Sequence, residues 1–114
     1  MKKKNEVLDI SFNLAVKIIE LSEELEQNKK FVIARQILRS GTSIGANIRE
    51  AQSAESKADF IHKLKIAHKE ALETEYWLDL IKISKSYPSP SPEISETLIS
   101  VTKLLNSIIS SSKK

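Results

Sequence analysis

Cysteine is absent from this chain of 114 residues. Disulfides, zinc–thiolate sites and cysteine nucleophiles are therefore excluded, and a reducing compartment is compatible with the composition. Aromatic residues make up only 5%. Only Phe31 and Phe60 fall among the basic residues of the middle of the chain, so base stacking along a single strand has weak support. Glycine occurs twice and proline three times. No window is apolar enough to span a bilayer. The start, Met1-Lys-Lys-Lys-Asn-Glu6, is basic, but charged residues recur too soon after it for a signal-type apolar core to form. The expectation is a soluble cytoplasmic protein of one domain, large enough for a single core.

Neither charge sign dominates, since the net charge is +3. The distribution is uneven, however. Residues 29–69 carry 9 basic and 3 acidic side chains, whereas residues 70–101 carry 2 and 6. A basic field in mid-chain could attract a polyanion. The competing reading is that basic and acidic segments sit side by side in the fold and neutralise each other.

What the chain does have is helical periodicity, arranged around Arg39-Ser-Gly-Thr-Ser-Ile-Gly-Ala-Asn-Ile-Arg-Glu-Ala-Gln52. Residue by residue this stretch reads as a loop, because each glycine costs about 1 kcal/mol against alanine in a helix. By phase it reads as a helix. Ile37, Ile44 and Ile48 stay within about 40° at ~100° per residue. The phase decides for one helix through both glycines, with Gly41 and Gly45 at i, i+4 letting a neighbouring helix come close. Arg35, Arg39 and Arg49 fall on the opposite side. A phosphate-cradling Gly loop is the sharper alternative, but no strand precedes it and no lysine follows in the required place.

The remaining chain supplies three more helices. Helix one is expected at about 9–26, capped by Asp9 or Ser11, with Leu14, Ile18, Leu21 and Leu25 inward and widened by Ala15 and Ile19. Its acidic C-terminal half, Glu20, Glu23, Glu24 and Glu26, opposes the helix dipole and calls for basic neighbours. Helix two spans about 31–52. Helix three spans about 57–84, opened by the capping-box pair Ser56 and Asp59. Its stripe is Phe60, Leu64, Ala67, Ala71, Thr74, Leu78 and Ile81, widened by Ile61, Leu72 and Ile83. A stiff linker at 87–92 comes next. Ser91 then caps helix four, at about 92–110, with Pro92 at its first position. Ile94, Leu98, Val101, Leu105 and Ile108 point inward, and the serine-rich end from Ser110 frays. The expected fold is all-α: an up-down antiparallel four-helix bundle forming a single domain over 1–114.

Three groups of residues invite functional readings. Glu75 lies between two inward rows and is expected half-buried, needing Arg49 or Asn47 as partner because an unpaired buried charge is costly. Ile66, Trp77 and Leu80 lie away from the inward stripe and are candidates for a subunit interface. Arg35, Arg39, Arg49, Lys57, Lys63, Lys65 and Lys69 are the candidate phosphate contacts, with an affinity that would fall as salt rises.

Catalysis finds no constellation. His62 and His68 are about 120° apart around the helix and share no metal. Asp59-x-x-His62 matches half of a carboxylate-bridged metal site, without the second pair such a site needs. Glu70, Glu73 and Glu75 diverge and form no acid–base pair. No catalytic residue, metal or cofactor is expected, and no small-molecule substrate is indicated.

Ser40-Gly-Thr-Ser-Ile-Gly-Ala-Asn-Ile-Arg-Glu-Ala51, with Ser56-Lys-Ala-Asp-Phe-Ile-His-Lys-Leu64 and Glu70-Ala-Leu-Glu-Thr-Glu-Tyr-Trp-Leu78, resembles the four-helix-bundle proteins encoded within intervening sequences of bacterial large-subunit ribosomal RNA genes. Ser11-Phe-Asn-Leu-Ala-Val-Lys-Ile-Ile19 is similar too. The resemblance covers about residues 8–109. It implies a bundle subunit that assembles into a ring, a homopentamer in the family, and transfers no catalytic residue. Relatives include the accessory protein of diversity-generating retroelements, strongly basic and binding nucleic acid and a reverse transcriptase. The partners so implied are other copies of the chain and ribosomal RNA or a ribonucleoprotein. The competing function is a protein-interaction scaffold whose arginines are held in ion pairs.

Overall fold

A computed structural model describes residues 5–113. It contains α1 (Glu6–Gln27), α2 (Phe31–Ala51), α3 (Lys57–Ile83) and α4 (Pro92–Ser112). Each helix packs against its two neighbours around a square, α1 on α2, α2 on α3, α3 on α4 and α4 on α1. Diagonal helices bring no Cα atoms within 8 Å of each other among the described residues, as expected of an up-down bundle. Met1 to Lys4, which carry most of the basic start, and Lys114 lie outside the described residues. No helix among the described residues is long and apolar enough to cross a membrane.

α1 begins a turn earlier than its spacing predicts. The cap is Asn5, whose side chain accepts from the Leu8 amide, not Asp9 or Ser11. Val7 is the reason, because it extends the Leu14, Ile18, Leu21, Leu25 stripe by one heptad and is buried with it. Ser11 is instead a buried helical residue whose hydroxyl donates to the Leu8 carbonyl at 3.2 Å. The turn to α2 is tight. Lys29 takes a left-handed φ of 63°, and the Lys30 amide returns to the Leu25 carbonyl at 2.8 Å. Such a turn satisfies carbonyls the helix end leaves open.

α2 runs unbroken through Gly41 and Gly45. Its poor helix formers turn their side chains back onto the helix. Thr42 donates to the Leu38 carbonyl at 2.7 Å, Ser43 to Arg39 at 2.6 Å and Asn47 to Ser43 at 2.8 Å. Bonds of this kind let short polar residues sit in a helix interior. The two glycines both face α1 but do different work. A Cβ on Gly41 would lie 2.7 Å from Ile18 Cγ2, whereas one on Gly45 would sit 3.5 Å from the Ser11 carbonyl oxygen, an ordinary contact.

α3 starts at Ser56, whose hydroxyl accepts from the Asp59 amide at 3.0 Å. Asp59 reaches back to the Glu55 amide at 3.3 Å, one residue beyond the usual capping-box partner. Leu64, Ala67, Ala71, Thr74, Leu78 and Ile81 are buried, and Phe60 is partly so. Of the residues expected to widen this stripe only Ile61 packs on the core. Leu72 is 49% and Ile83 82% exposed, because they project about 130° and about 150° around the helix from the stripe centre, against about 110° for Ile61. Inside the α2–α3 seam Thr74 and Ser40 share a buried hydroxyl contact of 2.9 Å. Ser22 makes a similar tie on the α1–α2 seam, donating to the Ala34 carbonyl at 3.2 Å.

The connection to α4 is held down by Tyr87, which packs against the core beneath the Lys30 ammonium, 5.0 Å from the ring centroid. Ser91 caps α4 by accepting from the Glu93 amide, with Pro92 in the first turn. Ile109 rather than Ile108 completes the inward stripe. That shift carries regular helix to Ser112, past the expected fraying at Ser110.

Candidate nucleic-acid interface

The antiparallel register of α2 and α3 decides what each basic residue meets. Arg39 falls opposite the acidic second half of α3. Its guanidinium pairs with Glu70 at 3.3 Å and with Glu73, and also reaches Gln36 at 3.4 Å. Glu73 in turn accepts from the Trp77 indole N–H at 3.0 Å. Lys63 is engaged with Glu50 at 3.1 Å. Lys57 is not free either.

Arg35, Arg49, Lys65 and Lys69 are exposed and make no hydrogen bond or ion pair with any described residue. The seven basic candidates are thus divided between these four and three that are engaged, Arg39 with two carboxylates. Arg49 lies in a broad groove beside α1 with Leu8, Phe12 and Asn13, where Glu6 and Asp9 oppose its charge. Lys65 and Lys69 form no ion pair with a described residue, and no carboxylate lines the space they share. They stand in the half of α3 that carries four lysines and one aspartate over 57–69, before three glutamates, one aspartate and one lysine over 70–83.

One cleft gathers several of these groups. His62, Lys65, Ile66, His68 and Lys69 of α3 meet Asn106 and Ile109 of α4 around an open space of about 440 Å³. Asn106 and Ile109 carry no signal of this in the sequence. They join the cleft only through the packing of α4 on α3, which no local spacing marks. Among the described residues no three His, Asp or Glu side chains converge as a metal site would require.

Two expectations change. Glu75 is exposed and meets neither Arg49 nor Asn47. It lies beside Asp79, Lys82 and Ser95 on the α3–α4 side, while Asn47 bonds within α2. Its angle between two inward rows placed it at the seam's edge, where the carboxylate reaches water. The acidic end of α1 also stands alone: Glu20, Glu23, Glu24 and Glu26 form no ion pair with any described residue, the nearby Lys17 pairing with Glu93 at 3.7 Å.

The interface candidates share one side of α3 and differ in exposure. Trp77 packs partly against the core with Tyr76 edge-on, centroids 5.2 Å apart. Ile66 lines the α3–α4 cleft, and Leu80 is exposed. The larger outward apolar rows are Leu72, Tyr76, Leu80 and Ile83 on α3 and Phe12, Val16 and Ile19 on α1. Both rows follow helical spacing, so the signal was present in the sequence.

With the four helices and their polar ties in place, comparison with known proteins is informative. Residues 3–107 match the family model described as 23S rRNA-intervening sequence protein. The chain belongs to that family. A solved relative is a protein of unknown function from the S23 ribosomal protein family of Bacteroides thetaiotaomicron VPI-5482. It is 51% identical, aligns over 90% of this chain and 97% of its own, and superposes with a TM-score of 0.83. Among curated proteins none matches. The helix through Gly41 and Gly45 lies within the matched region, and the match assigns no chemistry to any side chain.

Proposed function

We propose that this member of the 23S rRNA-intervening sequence protein family is a non-catalytic, self-associating bundle that binds RNA or a ribonucleoprotein through the basic half of α3. The supporting observation is the pair Lys65 and Lys69, one helical turn apart, exposed, in no ion pair with a described residue, and lining a cleft without a carboxylate. Ammonium groups so placed exchange condensed counterions for phosphates, and that exchange is the main source of nucleic-acid affinity. Arg39 does not take part because its charge is already matched by Glu70 and Glu73, and Arg49 stands apart in the groove beside α1 with Glu6 and Asp9.

Binding of labelled 23S ribosomal RNA fragments at two salt concentrations tests the reading. Replacing Lys65 and Lys69 by Gln should weaken binding and lower the salt slope by about 2, roughly one per phosphate contact. Arg39→Ala should leave affinity within about twofold. Absence of binding at low salt, or an equal loss in both variants, would refute it.

The Arg39–Glu70–Glu73–Trp77 network favours a second reading, a protein-binding scaffold in which ion pairs brace the α2–α3 seam. Self-association is proposed through the outward row Leu72, Tyr76, Leu80 and Ile83, a larger apolar surface than isolated residues provide. Tyr76→Glu should then lower the native mass in light scattering while helical content is kept. Unchanged mass would exclude that row.

A further inference from the structure

The α3–α4 cleft differs from the groove that holds Arg49 in the charges that line it. His62, Lys65, His68 and Lys69 are four side chains that can donate hydrogen bonds around it, and no carboxylate lines it. None of the four is spent on an ion pair or hydrogen bond with a described residue. Ile66 and Ile109 give it an apolar part, and Asn106 adds an amide that both donates and accepts. Its volume, about 440 Å³, falls within the ~300–1,000 Å³ of small-ligand clefts. A smooth phosphate-tracking surface needs lysines but neither an apolar wall nor an amide.

We infer that this cleft holds one unpaired nucleotide of a bound RNA strand. Its phosphate meets Lys65 and Lys69, its base lies on Ile66 and Ile109, and its base edge faces Asn106. The chemistry is complementary on each count. A phosphate is anionic and accepts hydrogen bonds, a base face is apolar enough to leave water, and a base edge carries paired donors and acceptors. A nucleotide stacked in a duplex cannot enter a cleft of this size, so loops, bulges and strand ends are the favoured targets. The inference rests on the reading of the protein as RNA-binding and adds the single-strand preference to it.

The experiment compares the full chain binding an RNA hairpin, whose loop carries 2-aminopurine, with a blunt RNA duplex of equal length. The expected results are about tenfold tighter binding of the hairpin and a change in 2-aminopurine fluorescence on binding. Asn106→Trp, which fills the cleft from an exposed helical position, should bring the hairpin down to the duplex level. Its circular dichroism spectrum should match that of the parent. Asn106→Leu, milder in shape, should lose part of the preference and guards against misfolding of the larger variant. Equal affinity of hairpin and duplex for the unmodified protein, or no effect of either substitution, overturns the cleft while RNA binding stands. Failure of both RNAs to bind overturns the cleft and the proposed function together.

Discussion

Adding a methyl group at Gly41 should harm the bundle, although the same change four residues later should help it. Each glycine gives up about 1 kcal/mol of helix propensity relative to alanine. At Gly45 the new Cβ meets only the Ser11 backbone and hydroxyl, at 3.5 to 3.6 Å, so Gly45→Ala should gain about 1 kcal/mol. At Gly41 the Cβ lies 2.7 and 2.8 Å from Ile18 Cγ2 and Cγ1 and 3.2 Å from its Cβ. Ile18 is fully buried and stiff at its branched carbon, so it cannot swing aside. Overpacking of this kind costs about 1–3 kcal/mol, leaving Gly41→Ala about 1 kcal/mol less stable than the parent. Ile18→Ala removes the obstacle, and in that background Gly41→Ala should turn stabilising, a coupling of about 2 kcal/mol. Urea unfolding at fixed chain concentration measures all four corners of the cycle, with thermal shifts of about 4 °C per kcal/mol for a domain near this size. If Gly41→Ala stabilises as much as Gly45→Ala, the close approach of α2 to α1 has been misread.

Three other substitutions probe separate parts of the fold. Thr74→Val removes the buried hydroxyl facing Ser40 and should cost about 1–2 kcal/mol, with Ser40→Ala and Thr74→Val together costing less than their sum because the contact they share is lost only once; denaturant melts of the three variants decide it. Arg39→Ala should cost under about 1 kcal/mol, since its partners lie at a solvated surface, and a larger loss would mean the network braces the seam more than its exposure allows. Lys29→Gly relieves a left-handed residue and should gain about 1 kcal/mol, which a thermal melt detects.

Helix identity and core membership were legible because burial repeats with the period of the helix. Ile37, Ile44 and Ile48 revealed α2 despite its glycines, and Ser56 and Ser91 marked two starts by their own hydrogen-bonding chemistry. Charge pairing was not legible. Arg39, Arg35 and Arg49 share one side of a helix in sequence, yet only Arg39 falls opposite two glutamates, because the vertical register of α3 against α2 is a tertiary fact. Glu75 failed for a related reason. An angular position at the edge of a seam does not say whether a flexible carboxylate ends in the interior or in water. The cleft was half legible: His62, Lys65 and Lys69 could be read from α3, whereas Asn106 and Ile109 had no local signal.

The unaccompanied carboxylates at the end of α1 carry a thermodynamic consequence. Four negative groups gathered near the negative pole of their own helix, without cations in its last turn, repel both that pole and one another. Dissolved ions damp such repulsion. Added potassium chloride should therefore raise the melting temperature of the protein over the same range in which it loosens any captured polyanion.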